Sequence, residues 1–259
     1  MKYLIYRFME NSDYIFGIHS AIEAIEAGRT VDKLLIKKDL NGELAIRLIH
    51  LAKDYGIPVQ RVPVEKLNRI TRKNHQGVIG FMSAVAYYSL EDILPAMFED
   101  GVLPFLLVLD GITDVRNFGA IARTAECCGV NAIVIPQRGS VTVGADAVKT
   151  SAGALLHIPV CRVASLPQAV QYIKDSGCQV VCATEKASEN YTLGDYTTPL
   201  ALVMGAEDTG ISPEVLRKAD TRSAIPMFGK IGSLNVGVAA GVMMYEVVRQ
   251  RLDGNLEII

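Results

Sequence analysis

From Phe105 onward the chain repeats one pattern: a short apolar run, a polar or glycine-containing break, and a stretch with helical periodicity. The runs are too short for helices and do not alternate between apolar and polar residues. Strands of this kind occur in parallel sheets that helices cover on both faces. The predicted strands are Phe105–Leu109, Ala132–Ile135, Ile158–Val163, Val180–Ala183, Leu200–Met204 and Ser223–Ile225. The sequence therefore predicts an α/β fold with a parallel sheet for residues 105–252.

Residues 13–86 predict a second, smaller α/β unit. Its pattern indicates helices at Ala21–Ala27, Leu44–Tyr55 and Val64–Ile70, and strands at Val31–Ile36, Ile57–Val62 and Val78–Val85. Residues 87–104 mix polar residues, two prolines and a predicted helix at Leu90–Phe98, and are interpreted as a linker. Residues 1–12 and 253–259 are interpreted as tails, and translation could start at Met1 or at Met9.

Composition narrows the possible functions. The chain has 26 Lys and Arg against 28 Asp and Glu, so any nucleic-acid partner must be bound by a local patch. The 5 cysteines include no Cys-x-x-Cys pair and the 4 histidines are scattered. This pattern argues against a disulfide framework or a metal site, and favours the reducing cytoplasm. No apolar run approaches the roughly 18 residues of a membrane span, so none is predicted.

Polar residues suited to ligand binding follow two of the predicted strands. Ligands of α/β proteins bind beyond the carboxyl ends of strands. Asn117 and Arg123 follow the first strand, whereas Gly205 and Glu207 come directly after Leu200–Met204. A glycine at such a position permits a close approach of backbone to ligand. On the residues alone, Asn117 could equally cap the helix that begins near it, and Arg123 could be a solvated side chain.

A third candidate segment lies near the C-terminus. The glycine-rich loop from Phe228 to Val236 carries Ser233 and Asn235, and the apolar stretch Gly237–Tyr245 follows it. Such a loop presents backbone N–H groups at a helix N-terminus. The chain contains neither a P-loop nor a Gly-x-Gly-x-x-Gly motif after a first strand. The pattern therefore indicates a ligand site that differs from the common nucleotide-binding loops.

Together the three segments resemble the motifs of the SpoU/TrmH family of RNA ribose 2′-O-methyltransferases, in the SPOUT class. The first motif is Asn117-Phe118-Gly119-Ala120 with Arg123, and the second is Met204-Gly205-Ala206-Glu207 with Gly210. The third is Ile225-Pro226-Met227 with Gly232-Ser233-Leu234-Asn235-Val236. The upstream Gly17-Ile18-His19 and Asn74-His75-Gln76-Gly77 resemble the N-terminal domain of the RlmB-like branch. The resemblance covers nearly the whole chain.

The resemblance implies a SPOUT domain with a deep trefoil knot, preceded by an L30e-like RNA-binding domain. It implies methyl transfer from S-adenosylmethionine to a ribose 2′-hydroxyl, by a homodimer that needs no metal. The residues implied in catalysis are Arg123, Asn117, Glu207, Ser233 and Asn235. The residues implied in cofactor binding are Thr184, Gly205, Ile225, Met227, Leu234 and Asn235.

The expected RNA contact is a basic segment of the smaller unit, although a solvated helix face would look similar. Its candidate residues are Arg61, Arg69, Arg72, Lys73 and His75. The expected substrate is a guanosine of 23S rRNA, with tRNA as the alternative. A catalytically inactive RNA-binding homologue is a further alternative, which the joint presence of Arg123, Glu207, Ser233 and Asn235 disfavours. Arg116 and Lys230 depart from the family pattern and could shift the choice of substrate.

Overall fold

The computed structural model describes residues 14–253. The predicted tails, 1–12 and 253–259, lie outside this range except for Asp253, which ends the last helix. The chain forms two compact units. The smaller unit runs to Ala86 and includes Thr142–Ala145, whereas the larger comprises Tyr87–Val141 and the chain from Asp146 onward.

The smaller unit is a mixed four-stranded sheet with helices on both faces. Its strands are β1 (Tyr14–Phe16), β2 (Val31–Lys37), β3 (Val59–Val62) and β4 (Val78–Met82), in the order β1-β4-β2-β3. Its helices are α1 (Ile18–Glu26), α2 (Glu43–Asp54) and α3 (Val64–Ile70). Strand β4 is antiparallel to β1 and β2, whereas β2 and β3 are parallel.

Alternation along β2 places a core on each face of this sheet. Leu34 and Ile36 pack with residues of α1 and α2 in one buried cluster. Leu35 points to the opposite face and packs with Leu67 of α3 and with Ile79. Because successive side chains of a strand point to opposite faces, a single strand supports both helical layers.

The larger unit is an eight-stranded sheet in which every pairing is parallel. Its strands are β5 (Tyr87–Tyr88), β6 (Phe105–Asp110), β7 (Ala132–Pro136), β8 (Val160–Val163), β9 (Gln179–Ala183), β10 (Glu189–Asn190), β11 (Leu200–Gly205) and β12 (Thr221–Ala224). Their order is β10-β12-β9-β11-β6-β7-β8-β5. Its helices are α4 (Leu90–Glu99), α5 (Val115–Cys127), α6 (Ala145–Thr150), α7 (Leu166–Asp175), α8 (Pro213–Leu216) and α9 (Val236–Asp253).

The predicted parallel sheet is confirmed, and its apolar runs are its buried strands. Phe105 through Leu109 of β6 are buried, in agreement with a strand that is covered on both faces. Burial of each such side chain contributes about 1.5–3 kcal/mol. The runs predicted at Ile158–Val163 and Ser223–Ile225 are shifted by one or two residues at their ends relative to β8 and β12.

Residues 87–104, interpreted as a linker, carry two elements of the larger unit. Strand β5 pairs with β8, and helix α4 packs on the sheet. Leu90, Leu94 and Met97 of α4 are buried in the same cluster as Leu106. Their spacing gives α4 an apolar stripe, and Ser89 caps the helix by accepting a hydrogen bond from the Asp92 amide.

Candidate active site

Three loops of the larger unit meet at the carboxyl edge of its sheet. Strand β11 lies between β6 and β9, and β9 also pairs with β12. Gly205, the last residue of β11, is in register with Asp110, the last residue of β6. Because all these strands are parallel, the loops that follow β6, β11 and β12 emerge at one edge. The second and third motifs lie mainly in the loops after β11 and β12, and the first motif lies in the first turns of α5, which follows the loop after β6.

The loops after β9, β11 and β12 surround an open cleft. Five of the residues predicted to bind a cofactor line it: Thr184, Gly205, Ile225, Met227 and Leu234. Two residues predicted to be catalytic, Glu207 and Ser233, also contribute to its wall.

A hydrogen-bonded cluster joins the three motifs near this cleft. The Asn235 amide nitrogen Nδ2 donates to Oδ1 of Asn117, at 3.0 Å, and also to Oε1 of Glu207. Oε1 of Glu207 accepts a further bond from the Val236 amide, at 3.1 Å. Asn235 is therefore in direct contact with both Asn117 and Glu207, although more than a hundred positions separate Asn117 from Asn235.

Asn235 also caps helix α9. Its Oδ1 accepts hydrogen bonds from the amides of Gly237, at 3.0 Å, and Val238, at 3.3 Å. The side chain thus uses its oxygen for the helix and its nitrogen for Asn117 and Glu207. A Cβ at Gly237 would lie 3.2 Å from that oxygen and 3.6 Å from Cβ of Ala120, which shows how closely α9 begins against α5.

Helix α5 is capped by Asp114 and not by Asn117. Oδ1 of Asp114 accepts hydrogen bonds from the amides of Arg116 and Asn117, both at 2.9 Å. The helix begins at Val115, two residues before the expected position. The capping role considered for Asn117 is therefore wrong, and its side chain is available for Asn235.

Arg123 lies about 9 Å further along α5 than Asn117, given a rise of about 1.5 Å per residue. Its side chain is exposed. Within residues 14–253, the Arg123 guanidinium forms no hydrogen bond or ion pair. The face of α5 beside it, with Ala120 and Thr124, packs against Gly237 and Gly241 of α9. Arg123 thus stands at the flank of the α5–α9 contact with its guanidinium available to an anion.

The loop between β11 and α8 is held by close backbone packing and by a hydrogen bond from outside the loop. Gly205 packs so closely on the returning chain that an added Cβ would lie 2.2 Å from the carbonyl carbon of Gly210. Ala206 and Gly210 form an isolated bridge, and Gly210 has a φ of 68°. Oδ2 of Asp110 accepts a hydrogen bond from the Ser212 amide at 2.8 Å. These contacts fix the short loop that presents Glu207.

Four of the five predicted RNA-binding residues are exposed on the smaller unit: Arg61, Arg69, Arg72 and Lys73. Nη1 of Arg61 donates to the Lys38 carbonyl at 2.9 Å. Nζ of Lys73 lies 5.4 Å from the centroid of the Phe16 ring, at the distance of a cation–π contact. All four side chains lie at the protein surface.

The fifth residue, His75, has a different position. It is only 8% exposed, and both ring nitrogens are used within the protein. The Gly77 amide donates to Nδ1 at 3.0 Å, which leaves Nε2 to donate to Oδ1 of Asn68 at 2.9 Å. The structure thus corrects the prediction for His75, which holds the turn before β4 instead of facing a phosphate.

The remaining titratable and apolar features of the described residues lie outside the cleft. Among residues 14–253, no cluster of three or more His, Cys, Asp or Glu side chains could hold a metal. Burial raises the pKa of Cys161 and of Cys182 to about 12, so these thiols stay protonated and unreactive. No helix in this range combines the length and apolarity that crossing a membrane requires.

Both units match known protein families. The SpoU rRNA methylase family matches residues 104–245, and the family "RNA 2′-O ribose methyltransferase substrate binding" matches residues 14–88. A protein of Bacillus subtilis (strain 168), YacO, whose assigned name places it among TrmH family tRNA/rRNA methyltransferases, is 39% identical over 93% of this chain and 97% of its own length. A Staphylococcus aureus (strain MSSA476) relative with the same family name is 38% identical over 92% and 96%.

Solved structures agree with these sequence matches. An AdoMet-bound rRNA methyltransferase from Sinorhizobium meliloti aligns with a TM-score of 0.58 and 28% identity, covering 91% of this chain and 86% of its own. A TrmH/SpoU tRNA-modifying enzyme of A. aeolicus aligns with a TM-score of 0.53 and 30% identity, covering 64% of this chain and 85% of its own.

The parallel sheet, the cleft at its carboxyl edge and the three joined motifs define an RNA methyltransferase that uses S-adenosylmethionine. The chain belongs to the SpoU rRNA methylase family, and an N-terminal substrate-binding domain precedes its catalytic domain.

Proposed function

We propose that the protein methylates the ribose 2′-hydroxyl of a guanosine in 23S rRNA. The main support for this reaction is that Asn235 forms hydrogen bonds with both Asn117 and Glu207 beside the cleft. The choice of rRNA is supported by the Sinorhizobium meliloti rRNA methyltransferase, whose alignment covers 91% of this chain. The tRNA-modifying enzyme covers only 64%, although the names of the Bacillus and Staphylococcus relatives keep tRNA as the second candidate.

The proposal assigns the cleft to S-adenosylmethionine, which supplies a methyl group on a positively charged sulfur. None of the described residues that line the cleft is Lys or Arg, and two of them, Glu185 and Glu207, are acidic. A cationic ligand is therefore not repelled. We assign the backbone groups of Gly205, Ile225 and Leu234 to cofactor binding, together with Thr184 and Met227, which also line the cleft. Asn235, just before α9, is assigned a supporting role.

Arg123 is proposed to bind the phosphate beside the reacting ribose. Arginine stays protonated at neutral pH, so it is a poor general base. Its charge instead lowers the pKa of the nearby hydroxyl and fixes the nucleotide through paired hydrogen bonds. Oε1 of Glu207 already accepts two hydrogen bonds, so we assign Glu207, Asn117 and Asn235 to orientation, together with Ser233 at the cleft.

Methyl acceptance by separated RNAs tests this function. The purified protein is incubated with radiolabelled S-adenosylmethionine and with 23S rRNA or tRNA from a strain that lacks the gene. The proposal expects label in 23S rRNA, at a ribose that becomes resistant to alkaline cleavage. Label confined to tRNA would reject the rRNA assignment and retain the reaction. Label on a base would reject the reaction itself.

Substitution of Asn235 separates its two structural roles. Asn235→Asp keeps an oxygen for the amides of Gly237 and Val238 but loses the donor to Asn117 and Glu207. We expect at least about a tenfold loss of kcat, because the lost hydrogen bond to the Glu207 carboxylate is charge-assisted and the bond to Asn117 is lost with it. Asn235→Ala should also lose about 1 kcal/mol of unfolding free energy with the helix cap. Methyl-transfer kinetics and urea unfolding measure the two effects, and normal activity of Asn235→Asp would contradict the orienting role.

RNA affinity is expected to depend on the basic segment of the smaller unit. Arg72→Glu with Lys73→Glu should weaken RNA binding and reduce its salt dependence, because the lost contacts are to phosphates. Cofactor affinity should not change. A control pair, Arg47→Glu with Lys53→Glu, makes the same charge change on α2, which covers the opposite face of the sheet from α3. Equal RNA affinity of both double variants in filter binding at moderate salt would contradict the assignment.

Assembly, topology and location complete the proposal. We propose a homodimer, supported by Val238 and Tyr245, which lie seven positions apart on α9 and are 53% and 55% exposed.

We also propose that the chain from Ile225 onward is threaded as a trefoil knot, which would bring the loops after β11 and β12 to one cleft. Cytoplasmic location is supported by the 5 cysteines, which are all free.

A further inference from the structure

The loop between β12 and α9 carries a solvent-exposed aromatic residue next to the cleft. Phe228 is 97% exposed, and Ile231 in the same loop is 78% exposed. Their neighbours Met227 and Gly232 line the cleft, so residues 228–231 form a tip at its rim. We call residues 228–231 the rim tip.

The surroundings of the rim tip leave the Phe228 ring accessible. A Cβ added at Gly229 or at Gly232 would meet no described atom within 4 Å. The chain around the ring is therefore uncrowded, and the ring is open to solvent. An apolar ring at the rim of a ligand cleft is a feature of interaction sites, whereas isolated apolar residues elsewhere on a surface need no explanation.

The charge of this segment favours an anionic partner. Lys230 lies within the rim tip, and the sequence from Thr221 to Tyr245 contains no Asp or Glu. This stretch therefore exerts no carboxylate repulsion on a polyanion, and the acidic residues that line the cleft, Glu185 and Glu207, lie in the loops after β9 and β11. Lys230 also disfavours a role of the rim tip as a cover for the sulfonium, because both carry positive charge.

We propose that Phe228 stacks on the base of a nucleotide that flanks the methylated ribose, while Lys230 contacts a neighbouring phosphate. Aromatic side chains bind unpaired RNA bases by stacking, and adjacent cations bind the backbone. This inference rests on the proposed function, because it needs an RNA acceptor at the cleft. It adds a residue for substrate recognition that none of the three family motifs includes.

Kinetics of methyl transfer to total RNA from a strain that lacks the gene test this role. Phe228→Ala should lower kcat/KM for RNA by about 5- to 100-fold, the range associated with loss of one stacked base. Phe228→Leu should behave like Phe228→Ala because it lacks a π face, whereas Phe228→Tyr should retain activity. Ile231→Ala is the matched control, since it removes an exposed apolar side chain from the same rim tip, and should change kcat/KM less than threefold.

The possible failures are distinguishable. No methyl transfer by the unsubstituted protein would reject the proposed function and, with it, its extension to Phe228. An active protein in which Phe228→Ala has unchanged kcat/KM would reject only the stacking role. A larger dissociation constant of Phe228→Ala for S-adenosylmethionine in calorimetry would show that the ring covers the cofactor and would overturn the proposal. Rescue by leucine, or altered self-association of Phe228→Ala, would assign the ring to apolar packing and also overturn it.

Discussion

Arg123→Ala is expected to reduce kcat for methyl transfer by about 10²–10³-fold, the usual cost of removing one electrostatic contact to a reacting group. The Arg123 side chain is exposed and forms no hydrogen bond or ion pair within residues 14–253. The unfolding free energy should therefore change by less than about 0.5 kcal/mol. Binding of S-adenosylmethionine should be unaffected, because Arg123 does not line the cleft. Single-turnover kinetics with saturating RNA measure the effect on chemistry apart from binding.

Two control variants make the Arg123 result specific. Arg123→Lys keeps the charge but loses the planar, bidentate geometry, so it should restore only a small part of the activity. Arg116→Ala removes another exposed arginine seven positions earlier on α5, and should raise KM for RNA with little change in kcat. Retention of more than a tenth of the wild-type kcat by Arg123→Ala would contradict the role assigned to the guanidinium.

Gly205→Ala is expected to impair both stability and cofactor binding. The new Cβ would lie 2.2 Å from the carbonyl carbon of Gly210, a backbone atom that cannot move without displacing the loop. Such overpacking costs about 1–3 kcal/mol of unfolding free energy. Since the same loop presents Glu207 and lines the cleft, misplacement by about 1 Å should reduce kcat/KM by about 10²-fold. Urea unfolding and calorimetric titration with S-adenosylmethionine provide the measurements.

Other glycines of the same site are matched controls for Gly205. Gly232 also lines the cleft, but an added Cβ would have no neighbour within 4 Å, so Gly232→Ala should leave stability nearly unchanged. Gly210→Ala meets no steric neighbour but must adopt a φ of 68°, which costs about 1 kcal/mol. If Gly205→Ala is as stable and as active as Gly232→Ala, that result would contradict the close packing of Gly205 against the backbone of Gly210.

The sheet of the larger unit could be predicted because its strands are continuous apolar runs. Phe105–Leu109 can be buried only in a sheet that is covered on both faces, and the structure places it there. A helix was predicted at Leu90–Phe98, close to α4, but its place in the larger unit was not, because Pro95 and the charged residues around its apolar stripe are also typical of a linker. Strand β5 comprises only two residues, too few for any periodic pattern.

The site was predicted as three motifs, but its connections were not. Nothing in the sequence states that one amide of Asn235 reaches both Asn117 and Glu207 while its oxygen caps α9. Asp114 and Asn117 are both good capping residues, and only the backbone geometry shows which of them caps α5. Asp110 ends an apolar strand and gave no sign of its bond to the Ser212 amide. His75 looked like part of a basic patch because burial cannot be read from charge alone.

The most direct test of the central claim is a map of ribose 2′-O-methylation in total RNA from three strains. These strains carry the intact gene, no gene, or the gene encoding Arg123→Ala. We predict that one ribose in 23S rRNA is methylated in the first strain and unmethylated in the other two. A map in which every 2′-O-methylated ribose persists in all three strains would contradict the assignment of this protein as an RNA ribose methyltransferase.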